Sequence, residues 1–129
     1  MFRYDVKYED YNGKTQEKTL WFNLSKGELL KMDLKYNLEK HLQEVSKSQD
    51  REKILETFEW IISTAYGEKS EDGQMFIKNQ QVLDAFKQSP AYDEFLFDLL
   101  TTEDAASAFV RGIVPNADSI KKAIPNVDN

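Results

Sequence analysis

His41 is the one histidine in the chain, and acid-base or metal chemistry would have to begin there. A general base needs a positioned partner and a zinc ion needs further ligands, yet no HExxH pattern or other clustered ligand set lies at helical spacing around it. It reads as a surface or partly buried structural residue. Glu68, Glu71 and Asp72 offer oxygens of the kind hard cations prefer, but their segment lacks the alternating ligands and terminal glutamate of an EF-hand. That segment reads as a solvated loop, with Glu68 or Glu71 neutralising Lys69 and Asp72-Gly73 making a turn. Glu56 with Glu59, and Glu103 with Asp104, suit polar helix faces and first turns better than a catalytic pair in a cleft. Cysteine is absent, which excludes disulfides, thiol nucleophiles and cysteine-ligated clusters. No GxGxxG, GxxxxGK(S/T) or GxSxG pattern occurs. The sequence thus predicts no enzyme, no catalytic residue, no metal and no cofactor.

Composition directs attention to surfaces instead. The 129 residues suffice for one hydrophobic core, with 40% apolar, 12% aromatic and 31% charged side chains. Net charge is -6, from 23 acidic and 17 basic residues, which disfavours nucleic acid and anionic membranes as partners. Lys14, Lys18, Lys31 and Lys35 are interrupted by acidic neighbours and form no sustained basic field. The first twenty residues lack the apolar run of a signal peptide, and no stretch approaches the roughly 20 apolar residues that span a bilayer. A cytoplasmic location is the resulting expectation.

The elements that would carry such surfaces are legible in the pattern. Phe2, Tyr4, Val6 and Tyr8 recur at a period of two, Thr19 to Phe22 forms a second strand-like run, and Asn12-Gly13 suits a type I′ turn between them. The hairpin is expected to bury the face carrying Tyr4, Val6 and Tyr8 with Trp21 or its neighbours. Ser25 and Glu28 form a capping box, stapled by Leu24 and Leu29. A helix follows, and the pattern around Tyr36, Leu38, Leu42 and Val45 belongs to the same helix or to a separate one after a break near Asp33 to Asn37. From Asp50 to Tyr66, Ile54, Leu55, Phe58, Ile61, Ile62 and Ala65 line one helical face, with Asp50 as cap and Gly67 just past the end. Val82, Leu83 and Phe86 mark a further helix, and Ser89-Pro90 opens another whose stripe is Tyr92, Phe95, Leu96, Leu99 and Leu100. The last helix starts at Thr102 and is expected to end at Gly112.

The expected fold is mainly α (α+β): an N-terminal β-hairpin packed on a compact bundle of about five short helices. Residues 1–114 form its single domain. Residues 115–129 are expected to be a mobile tail, with Asp118 to Lys122 able to form a helical turn. Trp60 beside the long helix stripe, Phe97 off its own stripe, and Met75, Phe76 and Ile77 after the glycine break are the candidate partner-binding residues. The competing reading of Phe76 and Ile77 is that they anchor their loop onto the helices.

Three stretches also carry a family likeness. Tyr66-Gly67-Glu68-Lys69-Ser70-Glu71-Asp72-Gly73-Gln74-Met75-Phe76, then Phe86-Lys87-Gln88-Ser89-Pro90-Ala91-Tyr92, then Asp104 to Pro115, together resemble small tail assembly chaperones of long-tailed phages and prophages. The resemblance implies a non-enzymatic assembly factor in the cytoplasm of the bacterial host. It implies partnership with the tape measure protein and the tail tube protein during tail morphogenesis, and it brings no catalytic residue. Some such proteins are made in two forms by translational frameshifting, and the chain looks like a short or stand-alone form. The rival reading is a non-enzymatic structural adaptor or connector in phage assembly, and self-association is open under either.

Overall fold

The structure is a computed structural model that describes residues 1–48 and 50–114. The expected tail at 115–129, and the helical turn at Asp118 to Lys122 within it, lie outside the described residues. The chain forms two compact units, one from Met1–Asn23 with Ala65–Ile113 and one built on Leu24–Thr64.

The first unit opens with β1 (Phe2–Glu9) and β2 (Thr15–Phe22), paired antiparallel from Phe2 opposite Phe22 to Glu9 opposite Thr15. Strand alternation sends Phe2, Tyr4, Val6 and Tyr8 to one face and Arg3, Asp5, Lys7 and Glu9 to the other. Leu20 and Phe22 share the inner face and are fully buried. Trp21 does not share it: a residue between Leu20 and Phe22 must point the other way. It lies instead under Lys69, whose Nζ is 4.0 Å from the ring centroid, with the Arg3 guanidinium 5.7 Å away.

The turn also departs from the expected type. Only Gly13 has positive φ, at 77°, whereas a type I′ turn needs it at Asn12 as well. Asp10 decides the matter, since its Oδ1 accepts from the amides of Asn12 and Lys14, both at 2.9 Å, and its Oδ2 accepts from Gln16 Nε2 at 3.0 Å. These bonds hold the Asp10 carboxyl below its ordinary pKa and favour a three-residue loop ending in a left-handed glycine.

The charged segment after Tyr66 is not the plain loop its composition suggests. β3 (Tyr66–Lys69) and β4 (Phe76–Ile77) extend the sheet in the order β1-β2-β3-β4, with Trp21 opposite Gly67 and Lys69 opposite Phe76. Short strands with few apolar residues leave little periodic signal, and their pairing with β2 is a long-range contact. Gly67 is needed here for space, not as a helix cap: a Cβ would sit 2.6 Å from the Phe76 ring and 2.8 Å from the Ile77 carbonyl oxygen.

Three helices complete this unit: α4 (Gln80–Lys87), α5 (Pro90–Thr101) and α6 (Glu103–Ile113). Asn79 caps α4 and Ser89 caps α5, whose first residue is Pro90, so each start is fixed by a side-chain oxygen accepting from an early amide. β1 packs on α5 and α6, as expected of the hairpin. The core between them is aromatic. Phe22 stacks on Phe95 at 4.8 Å and meets Phe109 edge-on at 5.2 Å, while Tyr66 and Phe86 stack at 3.8 Å. Gly112 does not end α6, which runs on to Ile113; its missing Cβ makes room for the Phe2 ring, to which a Cβ would stand at 2.6 Å.

The second unit holds α1 (Lys26–Tyr36), α2 (Leu38–Ser48) and most of α3 (Arg51–Ala65). The capping box forms as read, with Glu28 N 3.1 Å from Ser25 Oγ and Ser25 N 3.0 Å from Glu28 Oε1. Asn37 breaks α1 from α2 by taking a left-handed conformation, φ 51°, while its amide still closes on the Asp33 carbonyl. This break gives six helices among the described residues in place of about five. Asp50 Oδ1 accepts from the Glu52 amide at 3.1 Å and caps α3, on which Ile61 and Ile62 are fully buried.

Candidate protein-binding surfaces

In the second unit, α2 and α3 with the end of α1 enclose an open groove of about 520 Å³. Its walls are Tyr36, His41, Val45, Thr57 and Trp60, and Glu44, Lys53 and Glu56 stand at its charged positions. The sequence builds this locally. His41 and Val45 are four apart on α2, and Lys53, Thr57 and Trp60 follow one another at intervals of four and three on α3, so each set shares a face. Trp60 meets Tyr36 edge-on at 5.2 Å and His41 edge-on at 5.8 Å. A groove of this size with aromatic walls and a few charges suits a side-chain cluster of a partner.

The same groove is where nucleophilic catalysis would have to sit, since His41 Nε2 is 3.3 Å from Thr57 Oγ1. The hydroxyl proton is committed elsewhere: Thr57 Oγ1 donates to the Lys53 carbonyl at 2.8 Å. Having one proton, the hydroxyl can only accept from His41 Nε2–H, the reverse of the direction in which a histidine activates a threonine. The pair orients the imidazole as a wall. Among the described residues no group of three or more His, Asp or Glu side chains is placed to hold a metal ion.

In the first unit, the segment from Lys69 to Phe76 is the tip of the β3–β4 hairpin. Ser70 and Asp72 close it: Ser70 Oγ donates to Asp72 Oδ1 at 2.7 Å and accepts from the Met75 amide at 3.0 Å, and Gly73 takes φ 73°. The hydrogen bonds from Ser70 and then the Gln74 amide lower the Asp72 pKa and tie its carboxylate into the turn. Met75 is 63% exposed and Ile77 37% exposed, whereas Phe76 is half-buried against Gly67. Phe76 is therefore an anchor, set against the strand glycine Gly67.

Phe97 is 63% exposed on α5, with Leu100 45% exposed three residues on, and it precedes a part-buried contact between strand and helix: Tyr4 Oη donates to Asp98 Oδ2 at 2.7 Å. Burial first, and then the Asp98 carboxylate, push the Tyr4 hydroxyl up to about 12. Of the five candidate residues, the structure brings Met75, Phe76 and Ile77 onto one hairpin, places Phe97 on α5, and sets Trp60 in the other unit. Tyr36, His41 and Val45 were missed as groove partners of Trp60. The signal available was the spacing on α2, which reads equally well as an ordinary buried stripe.

A family model described as phage tail assembly chaperone matches residues 1–126. No curated protein and no solved structure matches the chain.

Proposed function

Because the chain belongs to the phage tail assembly chaperone family, we propose that it acts in tail morphogenesis by binding the tape measure protein, the tail tube protein, or both. The family match across residues 1–126 carries this reading. It works as a binding protein in the host cytoplasm, covering apolar surface of its client until assembly. The groove of Tyr36, His41, Val45 and Trp60 supports the reading, as does the hydroxyl geometry at Thr57, which is unsuited to nucleophilic chemistry. Trp60 and Tyr36 offer what interface centres favour, aromatic area at little entropic cost. Exposed Met75, Ile77 and Phe97 provide further apolar contact in the other unit.

Co-expression with the tape measure and tail tube proteins tests this directly. The chain is expected to co-purify with at least one of them and raise its soluble yield, and a Tyr36→Ala/Trp60→Ala variant that keeps its helical circular dichroism is expected to lose most of that capture. Absence of capture of both clients by the unaltered chain overturns the proposal. Stoichiometric recovery of the protein from purified virions would favour the adaptor or connector reading in its place.

A further inference from the structure

The open edge of β1 is complementary in charge to itself. β1 is the outer strand of the sheet, and the helices that pack on it meet the face of Phe2 and Tyr4, through Phe109 at 5.4 Å and Phe95 at 5.0 Å. Arg3, Asp5, Lys7 and Glu9 lie on the opposite face, all exposed. Their backbone direction follows from the ladder. The Asp10 amide donates to the Lys14 carbonyl at 2.8 Å, so this is a hydrogen-bonded pair, and such pairs alternate with pairs whose N–H and C=O turn outward. The outward-turning residues of β1 are therefore Arg3, Asp5, Lys7 and Glu9. The far side of β2 gives the same parity, because the Asn23 amide donates to the Ala65 carbonyl at 2.9 Å on the β3 side.

We infer that β1 pairs antiparallel with β1 of a second copy of this chain, about a two-fold axis at Val6, joining two sheets edge to edge. In that register Arg3 faces the partner's Glu9, Asp5 faces the partner's Lys7, and both contacts recur by symmetry. Every outward backbone group between Arg3 and Glu9 then finds a partner. A shift of two residues in one direction sets Asp5 on the partner's Asp5 and Arg3 on the partner's Lys7, and in the other direction sets Lys7 on the partner's Lys7 and Asp5 on the partner's Glu9. A shift of one places outward groups against inward ones. Charges on an edge strand commonly block pairing, and a strand guarded in that way needs only one sign. The alternation of sign here rejects the neighbouring registers, and the register centred on Val6 joins more opposite charges than a shift of four, which pairs only Arg3 with Asp5 or Lys7 with Glu9. The inference stands on β1 alone, so the outcome of client binding does not bear on it.

Sedimentation velocity of the full chain over a concentration series, at low and high salt, tests it. The unaltered chain is expected to show a monomer–dimer equilibrium that salt weakens. Lys7→Glu, which sets like charges together at two places, is expected to raise the dimer Kd about tenfold or more. The exchange Asp5→Lys/Lys7→Asp restores opposite charges across the axis and is expected to recover dimerisation. Lys7→Pro removes an outward amide that β2 does not use and is expected to abolish the dimer with the circular dichroism retained. A chain that stays monomeric at every concentration overturns the inference, as does a dimer equally tolerant of Lys7→Glu and Lys7→Pro. Failure of the folded exchange variant to dimerise overturns the register.

Discussion

Aromatic residues in the two units are put to opposite uses. Around Phe22, the rings of Phe2, Tyr66, Phe86, Phe95 and Phe109 all approach within 6.3 Å between centroids, and Phe22 is 0% exposed. In the second unit Tyr36, His41 and Trp60 meet edge-on but leave an open groove beside them. The same residue type closes a core where a sheet and three helices converge on it, and frames a concavity where α2, α3 and the end of α1 leave a face open. Ring count by itself does not distinguish core from surface. What distinguishes them is whether the surrounding elements leave a free face.

Enclosure in the first unit depends most on Phe22. Phe22→Ala is expected to cost about 3–5 kcal/mol of stability, because five neighbouring rings cannot collapse into the space, and denaturant titration followed by circular dichroism measures it. A loss below about 1 kcal/mol would mean that the first unit is as open as the groove.

The Tyr4–Asp98 contact of the first unit makes its stability depend on alkaline pH. The raised Tyr4 pKa means that the folded state holds this proton more tightly than the unfolded chain does, so its contribution is complete below pH 10 and is lost as pH rises towards about 12. Tyr4→Phe should lower stability by about 1 kcal/mol at neutral pH and flatten the decline over that alkaline interval. Parallel stability curves for variant and unaltered chain would contradict the assignment. The smallest expected effect lies in the second unit. Ser25→Ala removes the oxygen that accepts from Glu28 and is expected to cost about 0.5–1 kcal/mol, seen as a small shift in the denaturation midpoint. A loss as large as that at Phe22 would show that α1 governs more than its own first turn.

Much of this fold was legible because its signals are local. The capping box at Ser25 and Glu28, the Ser89-Pro90 start, Asp50 before α3 and the period of two in β1 each involve residues within a few positions of one another. The readings that needed correction involve residues far apart. Gly67 and Gly112 looked like helix ends, and their absent Cβ atoms make room for the Phe76 and Phe2 rings. The inner face is open to Trp21 or its neighbours until the register with β1 puts Leu20 and Phe22 there. β3 and β4 were read as loop because charge and glycine hid a pairing with β2 that only the folded chain supplies. The groove was partly visible, in Trp60 alone. Its other walls lie on different helices, and helix spacing cannot say whether a stripe is covered.

Where the helices start, which strand face is apolar, the acidic charge balance and the lack of thiol chemistry follow from neighbouring side chains and from composition, and need no fold to be read. The tertiary structure alone decided which aromatics are enclosed, why two glycines must be glycine, how the Thr57 proton is directed, and which strand edge is left open. Those properties depend on the distance between residues remote in the chain, and they exist only when the chain is folded.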